Sequence, residues 1–111
     1  MKGTVKIGSV SVDMVANAAS VYVYRQIFKE DFLLKAQEKT PDADIFTKMG
    51  FVMAKQAQTD KMSELMTVTI DEYYDWLVQF EPLDVLNAAG DISNLYMGQE
   101  MGLSAPKNEG V

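Results

Sequence analysis

Few side chains in this sequence could do chemistry, and the missing types say most. The chain of 111 residues has no histidine and no cysteine. Histidine is the commonest general base near neutral pH and, with cysteine, the usual ligand for zinc. Ser–His and Cys–His nucleophile pairs are therefore impossible within the chain. Carboxylates remain. Asp42 and Asp44 bracket one residue, as in some calcium loops, but the glycine and glutamate that complete such a loop are missing. Helix capping accounts for both acids. Asp71, Glu72 and Asp75 form a second acidic group, with Asp71 and Asp75 on one helix face. Paired carboxylates do acid–base work when their surroundings drive their pKa values apart. An exposed helix start offers no such surroundings. Gly90 and Gly98 complete no phosphate-binding loop. The sequence thus predicts no catalytic residue, no metal ligand and no cofactor, and a protein that is not an enzyme.

Binding is the remaining class of function. Methionine repacks easily and suits adaptable surfaces, and tyrosine and tryptophan are enriched where interfaces are strongest. The eight methionines include Met49, Met53, Met62, Met66, Met97 and Met101. Most of them read as core, while Met97 and Met101, near the expected end of folded structure, are candidates for an exposed patch. Tyr24, Phe28, Trp76 and Phe80 fall mostly on core positions but are carried as candidate contacts. Tyr22 flanks the main apolar stripe, and it and Arg25 complete the partner-binding set.

The elements that must position these residues are legible from periodicity. Val5 and Ile7, then Val10, Val12 and Met14, alternate about Gly8-Ser9. Glycine at the first central position of a two-residue loop suits a type II′ turn. The hairpin, over 4–14, then pairs Ile7 with Val10, Val5 with Val12 and Gly3 with Met14. A helix over about 18–38 follows, capped by Asn17 or Ser20, with Tyr24, Ile27, Phe28, Asp31 and Leu34 on one side. Thr40 and Pro41 cap a second helix over 41–57, with Ile45, Met49, Val52 and Met53 buried. Residues Lys61 to Met66 suit a short helical segment. Thr69 and Glu72 form a capping box, with Val68 and Tyr73 in the two staple positions. That helix, over 70–80, shows Ile70, Tyr73, Trp76, Leu77 and Phe80 on one face and ends at Glu81-Pro82. A last helix over about 83–100 shows Leu83, Leu86, Ala89, Ile92, Leu95 and Tyr96, with a bend allowed at Gly90. The fold class expected is mostly α: a compact bundle of about four helices with an N-terminal β-hairpin. The single domain covers 1–101, and 102–111 is expected to be a disordered tail.

Charge narrows the partners. Net charge is −6. It is uneven: residues 1–40 hold six basic and four acidic side chains, and residues 41–111 hold four and twelve. An acidic surface repels phosphates, so nucleic acid is not expected as a partner. No stretch is apolar for long enough to cross a bilayer, so no membrane is expected either. The N-terminus lacks the apolar run of a signal peptide. With the absence of cysteine, that points to a reducing cytosol.

Two stretches carry a resemblance. Ser20-Val21-Tyr22-Val23-Tyr24-Arg25-Gln26-Ile27-Phe28-Lys29-Glu30-Asp31-Phe32-Leu33 resembles the "YR…FG.D.." element of the tail assembly chaperones of long-tailed bacteriophages and prophages of Gram-positive bacteria. Phe51-Val52-Met53-Ala54-Lys55-Gln56-Ala57, followed by Asp71-Glu72-Tyr73-Tyr74-Asp75-Trp76-Leu77-Val78-Gln79-Phe80-Glu81, resembles that family's "MAKQA … EEWL..FE" region. Two positions depart from the pattern. Val21 stands where the family often has proline, and Lys29 stands where it has glycine, so a bend that depends on glycine is not expected there. The resemblance implies a small, mostly helical protein that binds the tape measure protein, keeps it soluble and helps recruit the tail tube protein. It implies action in the cytoplasm of the bacterial host and absence from the mature virion. A homo-oligomer is a further expectation, because an uncovered hairpin edge can pair with another strand. The alternative expectation is a structural virion component, such as a head–tail joining or minor tail protein.

Overall fold

The computed structural model describes residues 1–40 and 44–98. The chain starts as two antiparallel strands, β1 (Lys2–Ile7) and β2 (Val10–Val15). Their register pairs Ile7 with Val10, Val5 with Val12 and Gly3 with Met14, as the alternation predicts. Gly8 turns at φ 66°, and Ser9 does not share the positive φ. That pattern belongs to a type II′ turn, since type I′ needs a positive φ at both central residues. Val5, Ile7 and Met14 point into the core. β2 rests on α3 and β1 on α6, the helices introduced below. A lone hairpin is marginal in water, so these two helices hold it in place.

Six helices follow among the described residues, not about four: α1 (Ser20–Phe28), α2 (Phe32–Ala36), α3 (Asp44–Gln58), α4 (Met62–Leu65), α5 (Ile70–Leu77) and α6 (Pro82–Met97). The mostly helical class holds, and the count is corrected for two reasons. The short segment α4 forms between turns. The single helix expected over 18–38 is broken in two.

That break overturns the expectation about Lys29. A bend does form there, and Lys29 adopts the left-handed conformation at φ 57°, ψ 34°. Such a conformation costs a non-glycine residue about 1–2 kcal/mol. Three interactions offset the cost. The Lys29 backbone N–H donates to the Arg25 carbonyl at 2.9 Å, and its ammonium donates to Gln26 at 3.1 Å. Asp31 then caps α2 by accepting from the Leu34 N–H at 3.2 Å. The bend returns Phe32 to the core, where its ring lies 5.2 Å from Tyr24 and 5.0 Å from Tyr96. It also resets the helical phase, so Leu34 is exposed instead of continuing the α1 stripe.

The cap of α1 also differs from expectation. Neither Asn17 nor Ser20 is the N-cap; Ala19 holds that position without a side-chain bond. Both side chains instead tie the entry of α1 to α3. Ser20 donates from its buried hydroxyl to Gln56 at 2.6 Å, and Gln56 donates to Asn17 at 2.9 Å.

The core centres on α3, which buries Ile45, Met49, Val52 and Met53 as expected. Its cap at Thr40-Pro41 falls on residues partly outside those described, as do Asp42 and the expected tail over 102–111. Gly50 lets α6 approach closely: a Cβ there would meet the Ile92 side chain at 2.8 Å. The capping box at α5 is present, with Glu72 N–H donating to the Thr69 hydroxyl at 3.4 Å and Thr69 N–H donating to Glu72 at 3.0 Å. Val68 and Tyr73 are both buried beside it. α5 ends at Leu77, earlier than expected. Pro82 does not merely follow a helix but opens α6 at its first turn, where its missing N–H is harmless. α6 runs unbroken through Gly90 and stops at Gly98, which closes it at φ 73°.

Candidate functional site

An aromatic chain runs through the molecule and surfaces at one end. Tyr24 lies 5.0 Å from Phe28, Phe28 lies 4.9 Å from Tyr73, and Tyr73 lies 5.4 Å from Phe51. Phe51 meets Trp76 at 5.5 Å, and Trp76 meets Phe80 edge-on at 5.0 Å. Tyr24 and Phe28 are buried, while Trp76 and Phe80 are only half-buried. Interdigitated rings of this kind add about 0.5–1.5 kcal/mol per pair beyond their area.

The chain of rings surfaces beside a groove between α3, α5 and α6. The groove holds about 470 Å³ and is lined by Asp44, Thr47, Tyr73, Leu77, Phe80, Pro82, Val85 and Leu86. Leu86 in its lining is 55% exposed, and Val78 and Leu83, next in sequence to the lining residues Leu77 and Pro82, are 82% and 70% exposed. Ile70, Tyr74 and Val78 recur at helical spacing along the outer side of α5, and all three are exposed. Exposed apolar side chains grouped on one stretch of surface are candidates for a docking site.

The expected faces of α5 and α6 are corrected accordingly. Ile70, expected on one face with Tyr73, is exposed while Tyr73 is buried. Leu83 and Leu86, expected on one face with Ile92, are exposed while Ile92 is buried. The face that α6 does bury is Ala88 and Ile92, with Val85, Leu95 and Tyr96 half-buried. Two apolar stripes wind around this helix, and only one of them can meet α3.

Charge at the groove is negative. The Asp44 carboxylate is held at 3.4 Å by Lys48, one turn on. Lys48 also reaches Glu30 at 3.3 Å and sits 5.3 Å from the Phe28 ring centre. Tyr24 donates its buried hydroxyl to Glu30 at 2.8 Å. Burial pushes the Glu30 carboxyl up, but the Tyr24 hydroxyl and Lys48 outweigh it and hold it below its usual value. Burial, followed by the Glu30 contact, raises the Tyr24 phenol far above its usual value. Burial and then the charge of Asp44 raise Tyr73 as well. Both phenols are neutral at physiological pH and serve as packing surface.

The other expected contacts lie elsewhere. Tyr22 and Arg25 share the outer side of α1, with the guanidinium 5.8 Å from the Tyr22 ring centre and 3.5 Å from Asp31. Met97 is exposed at the end of α6. Met101 lies outside the described residues. Tyr24 and Phe28 belong to the core and present no face to a partner, which corrects their inclusion among the contacts. Of the expected residues that the structure describes, Phe80 alone lines the groove, with the Trp76 ring 5.0 Å from it. Leu77, Val85 and Leu86 were not anticipated as site residues. The signal for Val85 and Leu86 was the surplus of apolar residues on α6, and for Leu77 the apolar face of α5.

Of the acidic group on α5, Glu72 has structural work. Glu72 completes the capping box and pairs with Lys55 at 3.4 Å. The backbone N–H of Thr69 lowers its pKa most, with burial opposing and Lys55 assisting. Among the described residues, no group of three or more acidic side chains could hold a metal ion, and no helix is long and apolar enough to cross a membrane. A scan against family models, a search of curated proteins and a search of solved structures each find no match to this chain.

Proposed function

We propose that this chain is a tail assembly chaperone of a long-tailed bacteriophage or prophage. It binds apolar helical segments of the tape measure protein, keeps that protein soluble and helps bring tail tube protein to it. It acts in the host cytoplasm, without catalysis or cofactor, and does not remain in the finished particle.

The observation that carries this reading is the open apolar groove between α3, α5 and α6, lined by Leu77, Phe80, Val85 and Leu86, together with the exposure of Val78 and Leu83 on the same stretch of chain. Helices dock in such grooves by inserting apolar anchors at i, i+3, i+4 and i+7. A long helical client that is poorly soluble alone needs such a surface to cover it. The order and spacing of the Ser20-to-Leu33 stretch and of the Phe51-to-Ala57 and Asp71-to-Glu81 stretches add the resemblance to the chaperone family.

The test is co-expression with the tape measure protein of the same phage or prophage. The expected outcome is a soluble complex, with the tape measure protein insoluble on its own. No complex, with the tape measure protein soluble alone, would overturn the reading. Mass spectrometry of purified particles separates the chaperone from a structural virion component, since a chaperone is absent from them.

A further inference from the structure

The α3–α5–α6 groove carries a charge pattern that selects among helices. We propose that it takes an amphipathic helix whose apolar stripe is flanked by lysine or arginine. The proposal rests on the chaperone reading only for the source of that helix, a segment of the client protein.

The apolar part of the argument is size and shape. At about 470 Å³ the groove sits in the range of sites that bury a few side chains, not a whole domain. Leu77, Phe80, Val85 and Leu86 supply its apolar walls. A helix laid across them would set about two or three anchors into it, one turn apart.

The polar part is the rim. Asp44 lines the groove with its carboxylate 57% exposed. Glu81 is exposed between Phe80 and Pro82, which both line it. Lys48 is the cation beside Asp44, but it is divided between Asp44 and Glu30, so two carboxylates share one ammonium. Glu81 makes no ion pair among the described residues. The N-terminus of α6 favours an anion, and Asp84 in its first turn offsets that. A helix with acidic flanks would bring like charges together at Asp44 and Glu81. One with basic flanks would find partners for both. Such complementarity governs choice of partner and speed of encounter more than raw affinity.

Two labelled peptides test this on the full chain. Both are about 18 residues, roughly five helical turns, with the same leucine stripe; one carries lysine on its flanks and the other glutamate. Fluorescence anisotropy of the label gives affinity. Emission from Trp76, the single tryptophan, reports on the groove, because its ring lies 5.0 Å from Phe80. The lysine peptide is expected to bind about tenfold or more tighter than the glutamate peptide at low salt, with the gap closing as salt rises. It is expected to shift Trp76 emission. Leu86→Lys, at an exposed position that leaves circular dichroism unchanged, is expected to weaken the lysine peptide about tenfold or more. Glu81→Lys is expected to narrow the gap between the two peptides. Equal binding of both peptides, binding of neither, or an unaltered affinity in Leu86→Lys would overturn the proposal. If the peptides fail while the tape measure protein is still solubilised, the groove proposal falls and the chaperone reading stands. If the lysine peptide binds here and no tape measure complex forms, the chaperone reading falls alone.

Discussion

α3 and α6 are nearly equal in length, at 15 and 16 residues, and both are rich in apolar side chains. α3 buries nine of its residues, and α6 buries only Ala88 and Ile92. The difference is position. α3 is covered by the hairpin on one side and by α1, α5 and α6 on others, so nearly every direction from its axis meets protein. α6 lies at the margin, with β1 and α3 on its inner side and no element of the described chain over Leu83 and Leu86. Apolar surface on α3 is spent on the fold. Apolar surface on α6 and α5 is left over, and that surplus is the candidate site.

The sharpest way to break this comparison is to truncate one side chain in each region. Phe51→Ala in α3 is expected to cost about 3–5 kcal/mol of stability, whereas Leu83→Ala in α6 should change it by no more than about 0.5 kcal/mol. Urea titration followed by circular dichroism reads both. Equal costs would mean that α6 is held by its outer stripe. Next in size is Gly50→Val, which drives a side chain into Ile92 and is expected to destabilise by about 1–3 kcal/mol.

These two predictions mark where the sequence could be read and where it could not. The hairpin was legible down to its register, because alternation and a Gly-Ser turn constrain the same pairing. The capping box at Thr69 and Glu72 was legible because it needs only local geometry. The buried side of α3 followed from simple periodicity. The Lys29 bend was not legible, since lysine carries no signal for a left-handed backbone; Asp31, a good N-cap, was the available clue. The exposed side of α6 needs the full helical angle to be read. Nine residues at about 3.6 per turn put Leu83 and Ile92 on opposite sides of the helix, so apolar residues at steps of three drift off a single face, and packing on α3 covers the Ile92 side.

Smaller effects sharpen the account of the α5 and α1 ends. Thr69→Ala removes the cap that starts α5 and is expected to cost about 1 kcal/mol. Lys29→Gly relieves the positive φ and is expected to stabilise by about 0.5–1 kcal/mol, seen as a higher urea midpoint. An unchanged midpoint would mean that the hydrogen bonds around Lys29 already remove the strain. The smallest effect is with pH. Glu30 and Glu72 both titrate below the ordinary 4.5 in the folded chain. A lowered carboxyl pKa adds stability that is fully present above the unfolded value and is lost as pH falls through the folded one. The melting temperature should therefore hold from neutrality to about pH 4.5 and decline below it. Glu72→Gln should flatten part of that decline.

Hydrogen exchange on the co-expressed complex tests the central claim most directly, because it reads the groove and the core at once. On binding the tape measure protein as proposed, amide protection is expected to rise over residues 73–86 and at the start of α3 beside Asp44 and Thr47, with the buried middle of α3 from Met49 to Met53 unchanged. Protection rising on the outer side of α1 at Tyr22 and Arg25, with 73–86 unaltered, would contradict the assignment of the docking surface.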